Sequence, residues 1–213
     1  MNVASHVPAS LPMQIRSSAG ISNQVDAAKR TVEVVFATET PVRRRRYEGW
    51  DKIVDFDEVL TISRAAIDMV RLNAGAPVLD SHSRYSTQSQ IAVVDKAWID
   101  GQEARALIRF PVEGIDANAD RLFSLIADGI VRNVSCGYSL QKIKIIEPEK
   151  RGDVQKVIAQ RWAPFEISFV TVPADPAAGV RSEDGKQLFE LQAENTTAAA
   201  AARMRMRQAQ FIA

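Results

Sequence analysis

Apolar and polar residues alternate at period two through much of this chain, and that alternation restricts it to a sheet-rich fold. Val32, Val34 and Phe36 alternate with Glu33 and Val35 in a strand that starts near Arg30. "IAVVDKAWI" and "EARALIRFPV" flank "DGQ", a turn signal, and read as a β-hairpin. In "VRNVSCGYSL", Val134, Cys136, Tyr138 and Leu140 share one face, while Asn133, Ser135, Gly137 and Ser139 share the other. "LQKIKIIEPEKRGDVQKVIAQRW" continues as strand, charged turn and strand, and "FEISFVTVPADPAAGV" is a last strand ended by prolines.

Helical spacing occurs in two places within this pattern. "TISRAAIDMVRLNAGAPVLD" reads as a short helix, with Thr61 or Ser63 as cap and Gly75 and Pro77 as stop. "DANADRLFSLIADGI" is capped by Asp116, buries Leu122, Phe123, Leu125 and Ile126, and stops at Gly129. Strands dominate, with one helix before the hairpin and one after it. That predicts an α+β fold, mainly antiparallel β: a sheet or barrel with packed helices rather than a doubly wound fold.

With 213 residues, 46% of them hydrophobic, the chain suffices for one medium domain with tails. Residues 1–28 are rich in Ser, Ala and Pro and read as a flexible arm. Residues 29–181 form the domain, and 182–213, with "TTAAAAARMRMRQAQF", a helical or low-complexity tail. A net charge of +1 gives no global field toward nucleic acid. The single cysteine allows no intrachain disulfide. No apolar run nears the roughly 18 residues of a membrane span, and the N-terminus lacks a secretory pattern. The run Arg43 to Arg46 is the densest basic patch, either a solvated face or a site for an acidic partner.

No GxSxG, HExxH, Walker or GxGxxG motif occurs, and one Cys with two His rules out the usual zinc spacings. His6 lies in the arm, so His82 is the one base available to histidine-assisted chemistry in the domain. A nucleophilic serine needs such a base, and the base needs an orienting group. Ser135 directly follows a helix, on the polar face of a mostly apolar strand beside Gly137. Glu166 stands on the face of "FEISFV" opposite Phe165, Ile167 and Phe169. Each residue also fits an ordinary role: Ser135 and Glu166 as solvent-facing strand residues, His82 as a surface loop histidine, Cys136 as core packing.

Three blocks resemble the prohead (capsid maturation) proteases of tailed bacteriophages. They are "GAPVLDSHSRYSTQSQIAVV", "LFSLIADGIVRNVSCGYSL" and "RWAPFEISFVTVPADPAAGV", which span Gly75 to Val180 in the family's order. The resemblance implies a fold like the herpesvirus maturation protease, a β-barrel ringed by helices. It implies a serine endopeptidase with Ser135 as nucleophile and His82 as general base, needing no metal or cofactor. Herpesvirus relatives use a second histidine as the third member. Glu166 occupies the matching place here, and Asp80 is the fallback orienter. Ser83 stands where many members have Asp. The oxyanion donor is left open between a backbone N–H near Cys136 or Gly137 and a side chain such as Arg181.

The implied substrates are scaffold or delta segments of capsid proteins, and the protease itself, inside the prohead in the host cytoplasm. The tail would then link the protease to a scaffold or capsid segment. A homo-oligomer is compatible with this; no membrane or specific nucleic acid partner is implied. Three rivals are a non-catalytic assembly module of the same fold, a Cys–His hydrolase using Cys136, and a module binding an acidic partner through Arg43 to Arg46. Strand parity opposes the second, since Ser135 and Cys136 point to opposite faces.

Overall fold

The structure is a computed structural model that describes residues 14–18, 21–48, 52–150, 152–171 and 190–192. Strands β1 (Gln14–Ser18), β2 (Ile21–Asp26), β3 (Thr31–Thr38), β4 (Val42–Glu48) and β5 (Lys52–Leu60) precede helix α1 (Val70–Asn73). Then come β6 (Pro77–Asp80), β7 (Gln90–Asp100), β8 (Glu103–Arg109) and helix α2 (Ala117–Ala127). Strands β9 (Asn133–Ile146), β10 (Gln155–Val170) and β11 (Glu190–Gln192) follow.

All eleven strands join one sheet, whose main path runs β1-β9-β10-β6-β7-β8-β3-β2. The long strand β10 lies antiparallel to β9. Its other edge takes β5 along its first residues and β6 along its last, both in parallel. The sheet is therefore mixed, though most pairings are antiparallel as expected. Its hydrogen-bonded path is open among the described residues. Yet β1 and β2 end opposite sides of the path with only Ala19 and Gly20 between them, so the sheet must curl until its ends approach.

The core fills with the alternating residues of several strands: Val32, Val34 and Phe36 from β3, Ala106 and Ile108 from β8, Val134, Cys136 and Tyr138 from β9. Trp162 of β10 is fully buried, meets Tyr138 edge-on at 5.6 Å, and donates its indole N–H to the Thr61 carbonyl at 3.0 Å. Helix α2 closes one end, with Phe123 against Phe110 at 5.2 Å. Its Asp116 cap accepts from the N–H groups of Asn118 and Ala119, and Gly129 leaves it at φ +69°, both as expected. Leu122, Phe123 and Ile126 are buried, and Leu125 is half-buried.

Four expectations change. Residues 14–18 and 21–26, read as part of an arm, pair as strands. The helix near Thr61 shrinks to the single turn of α1, because backbone bonds between Trp162 and both Ala66 and Asp68, 2.9 Å each, tie that segment to β10. The two last strands read from sequence are one, β10, with bulges. And β9 has no solvent-facing side around Ser135: Val134 to Tyr138 are all buried. Arg181 and most of the tail lie outside the described residues.

The basic run is matched across the β4–β5 ribbon. Arg43 pairs with Asp57 at 2.5 Å, Arg45 with Asp55 at 2.9 Å and Arg44 with Glu58 at 3.3 Å, while Arg46 lies 5.4 Å from the Phe56 ring centroid. This charge is largely committed within the chain, which weakens the reading of an acidic partner.

Candidate active site

The pairing of β6, β10 and β9 brings the sequence's candidate residues to one place. β6 runs beside the end of β10, with Asp80 next to Phe169. The chain then turns through Ser81 and His82 at φ 52° and 59°, a region that side chains other than glycine seldom adopt. Three bonds hold the turn. The Ser81 N–H donates to the Phe169 carbonyl at 3.0 Å, the Ser83 N–H to the Asp80 carbonyl at 3.0 Å, and the His82 N–H to Ser168 Oγ at 3.2 Å.

This turn sets His82 Nδ1 2.7 Å from Glu166 Oε1. Glu166 is 2% exposed, and a carboxylate only accepts, so the Nδ1 proton points to it and Nε2 is the basic nitrogen. Glu166 Oε2 accepts from Ser168 Oγ at 2.6 Å. Ser168 thus holds both partners, the carboxylate through its hydroxyl proton and the His82 backbone through its oxygen. Asp80 is elsewhere engaged: it is exposed and accepts from Ser81 Oγ at 2.8 Å. Ser83 Oγ accepts from Ser89 at 2.8 Å.

On the adjacent strand, Gly137 lies opposite Glu166 and Ser135 opposite Ser168. Opposite residues of an antiparallel pair share a face, with Cβ atoms about 5 Å apart. A Cβ on Gly137 would stand 2.3 Å from Glu166 Oε1 and 2.7 Å from the Phe165 ring. The carboxylate therefore occupies the space that a side chain at 137 would fill. Ser135 is fully buried beside Ser168, and its Oγ has no hydrogen-bond partner; neither has His82 Nε2, which is also buried. His82 and Glu166 are bonded, while no hydrogen bond joins Ser135 to His82. A buried hydroxyl left unpaired costs about 1–3 kcal/mol. Cys136 lies opposite Ile167 in the core, on the other face.

A cavity of about 260 Å³ adjoins this group, lined by Glu166, Phe165, Leu79, Arg71 and Arg84 among others. A larger one, about 540 Å³ by Arg64, Met69 and Arg161, touches none of the candidate residues, so its size carries no functional weight.

A second polar group lies on the core side of β9. The Tyr138 hydroxyl donates to Glu58 Oε2, and Arg44 Nη2 donates to that hydroxyl at 3.1 Å. Arg44 Nε sits 3.3 Å from Glu58 Oε2, close enough for an ion pair but without hydrogen-bond alignment. Burial pushes the Tyr138 phenol well above its ordinary range. Burial opposes the Arg44 charge, but Tyr138 and Glu58 outweigh it and hold the guanidinium above its usual value. The sequence does not single out this trio or the role of Ser168, and it offers Gly137 only as a candidate oxyanion donor, not as the space that the Glu166 carboxylate fills. The available signal was that Ser168 lies two residues beyond Glu166, on its face.

Over 153 residues the chain is 43% identical to the major capsid protein of Halomonas phage phiHAP-1. That likeness is to a stretch of a phage capsid protein. It takes in 66% of this chain and 24% of the relative, so the chain spans about a quarter of that protein's length. Among solved structures, the bacteriophage T4 capsid assembly protease, gp21, aligns with a TM-score of 0.44 and 11% identity, over 76% of this chain and 98% of that one. No family model matches. No helix among the described residues is long and apolar enough to cross a membrane.

Proposed function

We propose that this chain is a serine endopeptidase of phage capsid maturation, with Ser135 as nucleophile, His82 as general base and Glu166 as the group that orients the base. The observation that carries this reading is the 2.7 Å contact between His82 Nδ1 and Glu166. It fixes the tautomer and leaves Nε2 as a buried acceptor without a partner, near a strand whose serine hydroxyl is also buried and unpaired. Unpaired polar atoms of that kind are costly in a purely structural protein.

In the reaction, Ser135 Oγ attacks a peptide carbonyl as His82 Nε2 takes its proton. The imidazolium, stabilised by Glu166, then protonates the leaving amine, and water deacylates the serine by the same route. Hydrogen bonds in a resting site often tighten only when substrate binds. Oxyanion donation falls to a backbone N–H at Cys136 or Gly137, or to Arg181. The protease unit is 29–181 together with strands β1 and β2 that complete its sheet, as a herpesvirus-protease-like barrel with flanking helices. Its substrates are scaffold or delta segments of capsid proteins and the chain itself, inside the prohead in the host cytoplasm. Residues 182–213 link it to a scaffold or capsid segment. The likeness to a quarter of a major capsid protein supports this capsid context.

That same likeness, together with the burial of Ser135, favours a second reading: a non-catalytic assembly module. One experiment separates them. Wild type and Ser135→Ala are each co-expressed with the matching capsid protein, and all products are weighed by intact mass spectrometry. Trimming by wild type alone establishes the protease. Identical masses in particles that assemble with either chain reject Ser135 as nucleophile and leave the assembly module.

A further inference from the structure

Strand β1 ends the sheet on the side of β9. It lies antiparallel to β9 with Ser17 opposite Ser135, Arg16 opposite Cys136 and Ile15 opposite Gly137. The other edge of β9 is taken by β10 through the same residues. The edge beside Ser135 therefore accepts one extended chain, and β1 fills it. We propose that β1 is a self-docked strand occupying the place where an extended peptide pairs with β9 beside Ser135, and that the chain must release β1 to accept one. The proposal rests on the reading of Ser135 as nucleophile.

Three observations support it. Both edges of β9 at Ser135 are paired, one by β1 and the other by β10, so no extended peptide can pair beside Ser135 until one of those strands leaves. The strand "QIRSS" holds one apolar residue in five, and its backbone pairs with β9 over all five residues. Such a ladder is blind to side chains and fits any extended segment. Finally, β1 lies at one end of the sheet path and β2, next in sequence, at the other. Releasing β1 leaves β2 on β3 and removes no interior strand.

The test uses the full chain carrying Ser135→Ala, so that nothing is turned over. Ile15→Pro together with Arg16→Pro removes the N–H donor from β1 whichever residue faces β9. A fluorescein-labelled peptide of sequence LPMQIRSSAG is titrated against both forms and read by anisotropy. The proline form should bind at least tenfold more tightly than the form with native β1. Equal affinity, or no binding to either folded form, overturns the proposal. If the proline pair prevents folding, the same peptide is added in excess to the native-β1 chain. Hydrogen exchange at Gln14–Ser18 then rises if β1 is displaced, and unchanged exchange refutes displacement. A fluorophosphonate probe on the chain with Ser135 separates the two readings. Peptide exchange without labelling of either form keeps the self-docked strand and removes the nucleophile. Labelling that is equally fast with and without the prolines keeps the nucleophile and removes the occlusion.

Discussion

Replacing Gly137 by alanine adds one methyl group and should dismantle the His82–Glu166 pair. Gly137 has no left-handed φ, so the substitution tests space and not backbone strain. The new Cβ would lie 2.3 Å from Glu166 Oε1, whereas ordinary van der Waals contact begins at 3.4 Å. Retreat the other way is blocked by the Phe165 ring, whose atoms stand at 2.7 and 2.8 Å. The carboxylate must therefore shift by about 1 Å, enough to stretch the 2.7 Å bond to His82 past the hydrogen-bonding range. Overpacking costs about 1–3 kcal/mol, and loss of a hydrogen bond to a charged group about 1.5–3 kcal/mol. The sum predicts a fall in melting temperature on the order of 10 °C for a domain of this size. Calorimetry reads the stability, and proton NMR reads the His82 Nδ1–H signal, which should vanish or move. In a double-mutant cycle with Glu166→Ala, which removes the clashing group, the two losses should be far from additive. A Gly137→Ala chain that melts within 2 °C of wild type, with the His82 signal in place, refutes the reasoning.

Ser168→Ala deprives the Glu166 carboxylate of a donor and the His82 N–H of its acceptor. It should cost about 2–4 kcal/mol in urea unfolding, and a loss under 1 kcal/mol would show that neither bond matters. Ser135→Ala, by contrast, removes a buried hydroxyl with no partner, so the urea midpoint should hold or rise; a clear fall would reveal a partner for that hydroxyl. Tyr138→Phe leaves Glu58 with a poorly aligned Arg44 and should cost about 1–3 kcal/mol by the same measure. The Tyr138 phenol is raised in the folded chain, so the unfolded chain ionises first as pH climbs past about 10. Stability falls there for wild type and less steeply for Tyr138→Phe; parallel pH curves would contradict this. Arg45→Ala breaks an exposed pair with Asp55 and should change stability by less than about 1 kcal/mol, which equilibrium unfolding would check.

Much of the sheet was readable because its signals are local. Alternation in β3, the "DGQ" turn between β7 and β8, the Asp116 cap and the Gly129 stop each depend on a few neighbouring residues. Period two also placed Ser135 and Cys136 on opposite faces. It could not show whether a face is covered, and both faces of β9 are, one by the core and the other by the groups around Glu166. β1 and β2 do not stand out in the sequence because "QIRSS" and "ISNQVD" carry little apolar alternation. The basic run looked free because its carboxylates come from the next strand. Only the antiparallel register sets Arg43 against Asp57 and Arg45 against Asp55. Ser168 lies in plain view two residues beyond Glu166, but its hydrogen bond from the His82 backbone exists only once β6 is laid beside β10.

The turn at Ser81 and His82 has a consequence for how this chain tolerates change. Backbone geometry at both positions favours glycine or asparagine, and either would relieve strain that the present residues hold. A search for hardier variants would then converge on this turn. At Ser81 the gain in robustness would leave the His82 imidazole and its bond to Glu166 in place. At His82 it would erase the imidazole, so under the proposed function the most stable descendant of this chain and its most active one should part company at that residue.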